Sequence, residues 1–205
     1  MEIKTPYFDE HLIIAEKPHG LLSVQGRGQQ NQDCLIARAQ IKFADALIVH
    51  RLDMATSGLM VLARGEIMQT RLAAMFETRA IEKTYIALVH GIIADDFGEI
   101  SAPLIKDWPN RPKQMVDWDI GKRAKTHYKV LARGEKTTRV ELSPITGRTH
   151  QLRVHLKWLG SAICGDTLYI GDDDGYSRLM LHAQKLVFNH PEDGKELSLT
   201  SAPDF

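Results

Sequence analysis

Cysteine is scarce in this chain: Cys34 and Cys164 are the two thiols among 205 residues, and they lie far apart. A disulfide framework is therefore excluded, and two reduced thiols in a cytosolic compartment are the expected state. No C-x-x-C or H-E-x-x-H spacing occurs among these cysteines and the nine histidines, so no metal is expected. No apolar run approaches the ~20 residues that a membrane-spanning helix requires, so no membrane partner is expected. The stretch Met1–Glu10 is polar and acidic and has no apolar signal-peptide core, so a cytoplasmic protein is expected. Neither a Walker motif nor a dinucleotide fingerprint is present, so no nucleotide cofactor is expected. There is no internal repeat, no low-complexity tract and no visible domain boundary, so one domain over residues 1–205 is expected.

What is present is an ordinary globular composition, 43% hydrophobic and 25% charged, able to bury a sizeable core. Net charge is formally zero, with 26 basic and 26 acidic residues. The charge is unevenly placed. From Gly121 to Lys157 the chain carries ten Lys or Arg and two acids, Glu135 and Glu141. Acids gather instead at Asp172–Asp174 and around Glu192 and Asp193. Such segregation makes either one basic, nucleic-acid-binding face or an ordinary solvated surface.

Segments with β-rich apolar character recur at Leu12–Ala15, Leu47–His50, Leu59–Ala63, Tyr85–Val89, Thr126–Leu131, Thr138–Leu142, Lys185–Phe188 and Leu197–Thr200. Helices are predicted from an Asp33 cap to Phe43, over Glu66–Arg79 with a stripe of Ile67, Leu72, Met75 and Phe76, and from a Thr149 cap to Gly160. Strands outnumber helices and follow one another, which points to an α+β fold with a mostly antiparallel sheet. The two prolines in Asp107–Pro112 predict an extended loop.

Four stretches carry candidate chemistry. His50-Arg51-Leu52-Asp53-Met54-Ala55-Thr56-Ser57-Gly58 lies between two apolar strands. Asp53 there is either a functional carboxylate on a loop held by a rigid sheet or part of a turn with Thr56, Ser57 and Gly58. Gly147-Arg148-Thr149-His150-Gln151-Leu152-Arg153-Val154-His155 opens a helix whose N-terminal donors suit phosphate; ordinary surface Arg and His are the alternative. Should Arg153 face inward, it needs a carboxylate partner. His150 and His155 share no helical face, so they make no metal pair. In Lys83-Thr84-Tyr85, the tyrosine shares a sheet face with Ala87 and Val89, as a core residue would. Leu179 and Leu181, in Arg178-Leu179-Met180-Leu181-His182-Ala183, share one strand face and fit ordinary packing. Lys17-Pro18-His19-Gly20 is a turn with no chemistry of its own.

In this order the motifs resemble the RluA family of RNA pseudouridine synthases. The match rests on His50-Arg51-Leu52-Asp53 with Thr56-Ser57-Gly58, Lys83-x-Tyr85, Gly147–His155, Leu179–Ala183 and Lys17-Pro18-x-Gly20. The stretch Asp107–Gln114 and the ending Ala202-Pro203-Asp204-Phe205 resemble the small branch that gives the family its name. The early motif begins within about twenty residues of Met1, so the N-terminal S4 RNA-binding domain of many relatives is not expected. The resemblance implies a bisected, mostly antiparallel sheet with flanking helices and a central catalytic cleft. It implies uridines in structured RNA as substrates, among them a hairpin of 23S rRNA and the anticodon stem-loop of some tRNAs.

The resemblance also assigns roles. Asp53 is the carboxylate acting at C1′ or C2′ of a flipped-out nucleotide, and Arg153 pairs with it and keeps it ionised. Tyr85 borders the uracil and helps remove the C5 proton, while Leu181 and Leu179 wall the pocket. Arg51 fills the place of the flipped base. Arg148, Thr149, His150, Gln151 and Lys83 contact RNA. The isomerisation needs neither cofactor nor redox change, and a monomer is expected. Two other readings stand beside this one. A non-catalytic RNA-binding module would keep the basic segment without needing Asp53, Tyr85 and Arg153. An RNA glycosidase needs two carboxylates across the scissile bond, and the motifs offer one.

Overall fold

The computed structural model describes residues 3–171 and 174–205; Asp172 and Asp173, two of the clustered acids, lie outside the described residues. In chain order the elements are β1 (Lys4–Phe8), β2 (Leu12–Lys17), α1 (Leu35–Lys42), β3 (Ala46–Ile48), β4 (Ser57–Arg64), α2 (Glu66–Glu77), β5 (Glu82–His90), β6 (Phe97–Ile100), β7 (Leu104–Lys106), β8 (Gln114–Val116), β9 (Thr126–Arg133), β10 (Thr137–Pro144), α3 (Gln151–Trp158), α4 (Thr167–Ile170), β11 (Leu181–Asn189) and β12 (Glu196–Thr200). The chain forms two compact units, Met1–Lys83 with Ala183–Pro203 and Thr84–His182 with Asp204–Phe205. The fold is α+β, and every predicted strand is present.

In the first unit the strand order is β1-β2-β4-β11, with β3 beside β4 and β12 beside β11. The β1–β2, β2–β4, β3–β4 and β11–β12 pairs are antiparallel. β4 is buried from Ser57 to Ala63 because both its faces are covered. Leu59, Val61 and Ala63 pack with Leu12, Ile14, Met68, Leu72, Leu186 and Phe188 on one face. Met60 and Leu62 point the other way and are equally sealed. Each fully buried aliphatic side chain of this kind contributes about 1.5–3 kcal/mol. The α2 stripe is shifted from its expected phase: Met68 and Leu72 are buried, and Ile67 is 75% exposed. Met68, Leu72 and Phe76 repeat at four-residue steps on one face, and Ile67 stands one position round the helix.

Two further expectations about turns are corrected. Thr56-Ser57-Gly58 is not a turn; Ser57 and Gly58 begin β4. Gly58 has φ +116°, and a Cβ there would sit 2.3 Å from the Ala183 carbonyl oxygen, so the position demands glycine because β11 runs so close. The Asp107–Pro112 tract is not extended but turned, joining the β7–β8 hairpin. The Asp107 carboxylate accepts from the Asn110 backbone N–H and side chain, and the Asp107 N–H donates to Lys113 O at 3.0 Å. This side-chain capping of a turn outweighs the extended preference imposed by the prolines.

In the second unit β5, β10, β9 and β6 form an antiparallel series, with Tyr85 on β5 opposite Leu142 on β10. Leu104, Ala124, Val154 and Tyr169 make a small core against α3. α3 is buried at every position from Gln151 to Leu156, so it is not a surface helix bearing ordinary Arg and His. Its polar groups are satisfied inside the unit, as burial requires. Thr126 Oγ and Ala102 O hold the two ring nitrogens of His155 at 2.9 Å each, and burial lowers the pKa of this imidazole. The helix begins after His150, which adopts the left-handed conformation at φ 54°; the expected Thr149 cap is displaced by one residue. Asp33 likewise does not cap α1, whose N-cap is Cys34; its carboxylate instead forks onto Arg38.

His50 fastens the loop after β3 to the middle of β4. The Val61 N–H donates to His50 Nε2 at 2.9 Å, and the imidazole packs on Phe76 at 4.2 Å between centroids. Burial, and then the charge of Lys83, push the His50 pKa down to about 3. The unfolded chain, with an ordinary histidine pKa near 6.5, takes up this proton first. The contribution is therefore present above about pH 6.5 and is lost as pH falls below it. His50→Gln retains an acceptor for Val61 but does not titrate. Its unfolding free energy is expected to fall less steeply between about pH 6 and 4.5 than that of the wild type, by up to about 1.4 kcal/mol per pH unit. Urea unfolding at several pH values measures this, and parallel slopes would refute the assignment.

Candidate active site

Asp53 lies half-buried on the loop joining β3 to β4, and the residues on both sides of it are tied down. The buried Ser23 hydroxyl donates to Leu52 O at 2.7 Å and accepts from Leu52 N–H at 3.1 Å. Met54 O accepts from the Lys17 ammonium at 3.0 Å and from Gly20 N–H at 2.9 Å. Lys17 is wholly buried, and its Nζ also donates to Pro18 O at 2.9 Å and Leu21 O at 2.7 Å. A buried ammonium is costly unless oxygens surround it, so Lys17 binds its own turn and the Asp53 loop into one piece. The early Lys-Pro-x-Gly tract thus has a task that sequence reasoning missed. Asp53 O closes the loop by accepting from Thr56 N–H at 3.1 Å. Arg51 beside it is exposed.

Arg153 belongs to the second unit and does face inward. It is 6% exposed, and its guanidinium grips the equally hidden Asp166 through two bonds, Nε to Oδ2 at 2.8 Å and Nη2 to Oδ1 at 2.6 Å. The cation also lies 5.0 Å from the centre of the Tyr169 ring. Tyr169 is itself anchored: its hydroxyl accepts from Gln114 N–H and bonds His150 Nδ1, both at 2.8 Å, and its carbonyl accepts from Lys157 Nζ at 2.9 Å. Asp166 and Tyr169 were not singled out from the sequence. Their signal was faint: an Asp and a Tyr three apart after a glycine, with no hint of which cation they serve.

Tyr85 is half-buried on β5, with Ala87 and Val89 fully buried on the same face. Leu179 and Leu181 are 2% and 3% exposed. Their segment is tied to β5 because Leu88 N–H donates to Met180 O at 3.1 Å, and to the Cys164 region because Met180 N–H donates to Cys164 O at 2.9 Å. Arg178 passes so close to Gly165 that a Cβ on the glycine would meet the Arg178 carbonyl at 1.7 Å.

The expected RNA contacts divide by exposure. Arg148 and Thr149 are exposed, and Arg148 Nε donates to Arg123 O at 3.2 Å. His150 is half-buried against Tyr169. The amide of Gln151 is 4% exposed and spent inside the unit: Oε1 accepts from Thr146 Oγ at 2.6 Å and Arg148 N–H at 3.0 Å, and Nε2 donates to Lys125 O at 2.9 Å. Its place on the first turn of a buried helix turns it away from a ligand and into the loop scaffold. Lys83 is half-buried with its ammonium 5.6 Å from the Phe76 ring, and burial lowers its pKa.

Residues 11–158 match the family described as RNA pseudouridylate synthase. The chain is 48% identical over 202 residues to the dual-specificity RNA pseudouridine synthase RluA of Yersinia pestis, covering 97% of this chain and 98% of that one. It is 43% identical to the enzyme of the same name from Escherichia coli (strain K12), covering 97% and 92%. Among solved structures, human RNA Pseudouridylate Synthase Domain Containing 1 has a TM-score of 0.82 at 25% identity, covering 100% of this chain and 84% of that one. Human RNA Pseudouridylate Synthase Domain Containing 4 has a TM-score of 0.77 at 28% identity, covering 98% and 88%. The chain belongs to the RluA family of RNA pseudouridine synthases, and it isomerises uridine to pseudouridine in RNA.

Proposed function

We propose that the enzyme acts on short RNA stem-loops, a 23S rRNA hairpin and a tRNA anticodon stem-loop among them, with Asp53 as the reacting carboxylate. The dual specificity in the names of the Yersinia pestis and Escherichia coli relatives supports more than one substrate. The observation that carries the Asp53 assignment is the clamp on Leu52 and Met54, which holds the motif carboxylate on a prearranged loop. Prearrangement of this kind removes ordering entropy from the reaction step. The enzyme works in the cytoplasm as a monomer.

In the reaction the C1′–N1 bond breaks, the uracil turns, C1′ joins C5, the C5 proton is lost and N1 takes up a proton, so atoms and oxidation level balance without a cofactor. The Asp53 carboxylate either adds to C1′ as N1 departs or takes a C2′ proton. Arg153 keeps that carboxylate ionised. Tyr85 borders the uracil and assists loss of the C5 proton, and Leu179 and Leu181 keep the freed base from escaping. Arg51 stacks into the vacated place and holds the flipped state, whose formation costs a few kcal/mol. The exposed Lys122, Arg123 and Arg148 bind phosphates.

Asp53→Asn is expected to lower tritium release from 5-tritiated uridine RNA by about 10²–10⁴-fold, with melting temperature and RNA affinity close to wild type. Activity within tenfold of wild type would remove Asp53 from the chemistry, and loss of RNA binding would favour a non-catalytic binding module. Tyr85→Phe should bind RNA normally and turn over far more slowly.

Hairpin affinity should follow a log–log salt slope of about −3 to −5, as for five or six phosphate contacts. Lys122→Ala or Arg123→Ala should flatten that slope by about one unit. Arg51→Ala should leave slope and affinity unchanged while slowing turnover. An Arg51→Ala variant that flattens the slope as the others do would show Arg51 to be one more phosphate contact.

A further inference from the structure

We infer that Asp166, together with Tyr169, is a positioning residue for the isomerisation: the two hold the Arg153 guanidinium at a set angle, and they act on the reaction only through it. The inference rests on the reading that Arg153 serves the reacting carboxylate.

The geometry constrains Arg153 from its edge and its face. Asp166 takes Nε and Nη2 in a two-bond fork, which fixes the plane of the guanidinium as well as its place. The Tyr169 ring, 5.0 Å away, limits how far that plane can tilt. The two partners come from one turn of backbone. Asp166 is the N-cap residue of α4, and its carbonyl accepts from Tyr169 N–H and Ile170 N–H at 3.0 Å each. The three-residue spacing therefore delivers the carboxylate and the ring to the same cation.

The ring cannot slide. Its hydroxyl is held by Gln114 N–H at the start of β8 and by His150 at the head of α3, and its carbonyl by Lys157 near the end of α3. Among the described residues of this unit, Asp166 and Tyr169 meet the Arg153 cation, and His150 and Lys157 in turn bond Tyr169. A pair that only stabilised the fold would have little reason to be ionic. Well-packed apolar residues in place of a buried ion pair are often neutral or better for stability, whereas the loss of one partner is harmful.

The test compares Asp166→Asn, Asp166→Glu, Tyr169→Phe and Arg153→Lys in the full chain. Tritium release from a hairpin RNA gives kcat and KM from about pH 5 to 9, with melting temperature measured alongside. Asp166→Asn is expected to lower kcat by about 10–100-fold, the scale for a misplaced group of roughly 1 Å, with KM within threefold. The acid limb of the kcat profile should move to higher pH, because a cation that has drifted no longer holds the reacting carboxylate ionised. Asp166→Glu, which restores the charge, should recover part of kcat and bring the acid limb back. Tyr169→Phe should lower kcat several-fold with the same direction of limb shift. This variant decides the matter where Asp166→Asn does not fold.

A lowered melting temperature with unchanged kcat and acid limb in Asp166→Asn and Tyr169→Phe would overturn the inference. A large kcat loss in Arg153→Lys beside an intact Asp166→Asn would overturn the positioning role alone. An unaffected Arg153→Lys would overturn the role of Arg153 first, and the inference with it.

Discussion

A cation can be buried in a protein only where oxygen atoms replace its water, and each unit of this enzyme is organised about one such cation. In the first, the Lys17 ammonium collects the carbonyls of Pro18, Leu21 and Met54. In the second, the Arg153 guanidinium collects the Asp166 carboxylate over the Tyr169 ring. Desolvating either charge alone would cost several kcal/mol, so these partners cannot drift without destabilising their unit. The consequence is local rigidity in loops that would otherwise be soft. Met54 is held because Lys17 needs it, and Asp53 is its neighbour.

The same bookkeeping explains how a neutral chain serves a polyanionic substrate. Of the basic run from Gly121 to Lys157, Arg153 is buried, and Lys125 and Arg133 face Glu99 and Asp96 at 2.9 and 2.8 Å. Those two pairs are solvent-exposed and contribute little to stability. Arg139 donates to the carbonyl of Phe205 at 2.6 Å and lies over its ring, so it helps hold the chain end. Lys122, Arg123 and Arg148 stay exposed. The basic surplus visible in the sequence is thus partly spent on the fold, and a smaller group is left at the surface.

Much of the fold was legible. Thr138–Leu142 alternates one residue in and one out in the sequence, and its strand does the same in space. The apolar run Leu59–Ala63 was read as a strand, and in the structure both its faces are buried. β1, β6, β7 and β8 were missed because they are three to five residues long and too mixed in polarity to show a period. α2 was placed correctly along the chain but mis-phased, because Ile67 is apolar and yet faces water. Gly58 was read as turn chemistry; its task is to let β11 approach, which only a second, distant segment creates.

By itself the sequence determined the order of the motifs, the family to which they belong, and the choice of Asp53, Tyr85 and Arg153 as candidates. The order follows from residue identity and spacing along the chain; the family and the three candidates follow from the resemblance those motifs carry, since the residues alone left Asp53 open to a turn and Tyr85 to the core. Only the tertiary structure decided what holds those residues. It turned Lys17 from a turn residue with no chemistry of its own into the clamp of the Asp53 loop, and it directed the Gln151 amide inward. It also supplied Asp166 and Tyr169 as the grip on Arg153. The physical reason is that a buried charge or amide must find partners wherever the folded backbone brings oxygen and nitrogen atoms within about 3 Å. Those partners come from segments whose meeting no local pattern encodes.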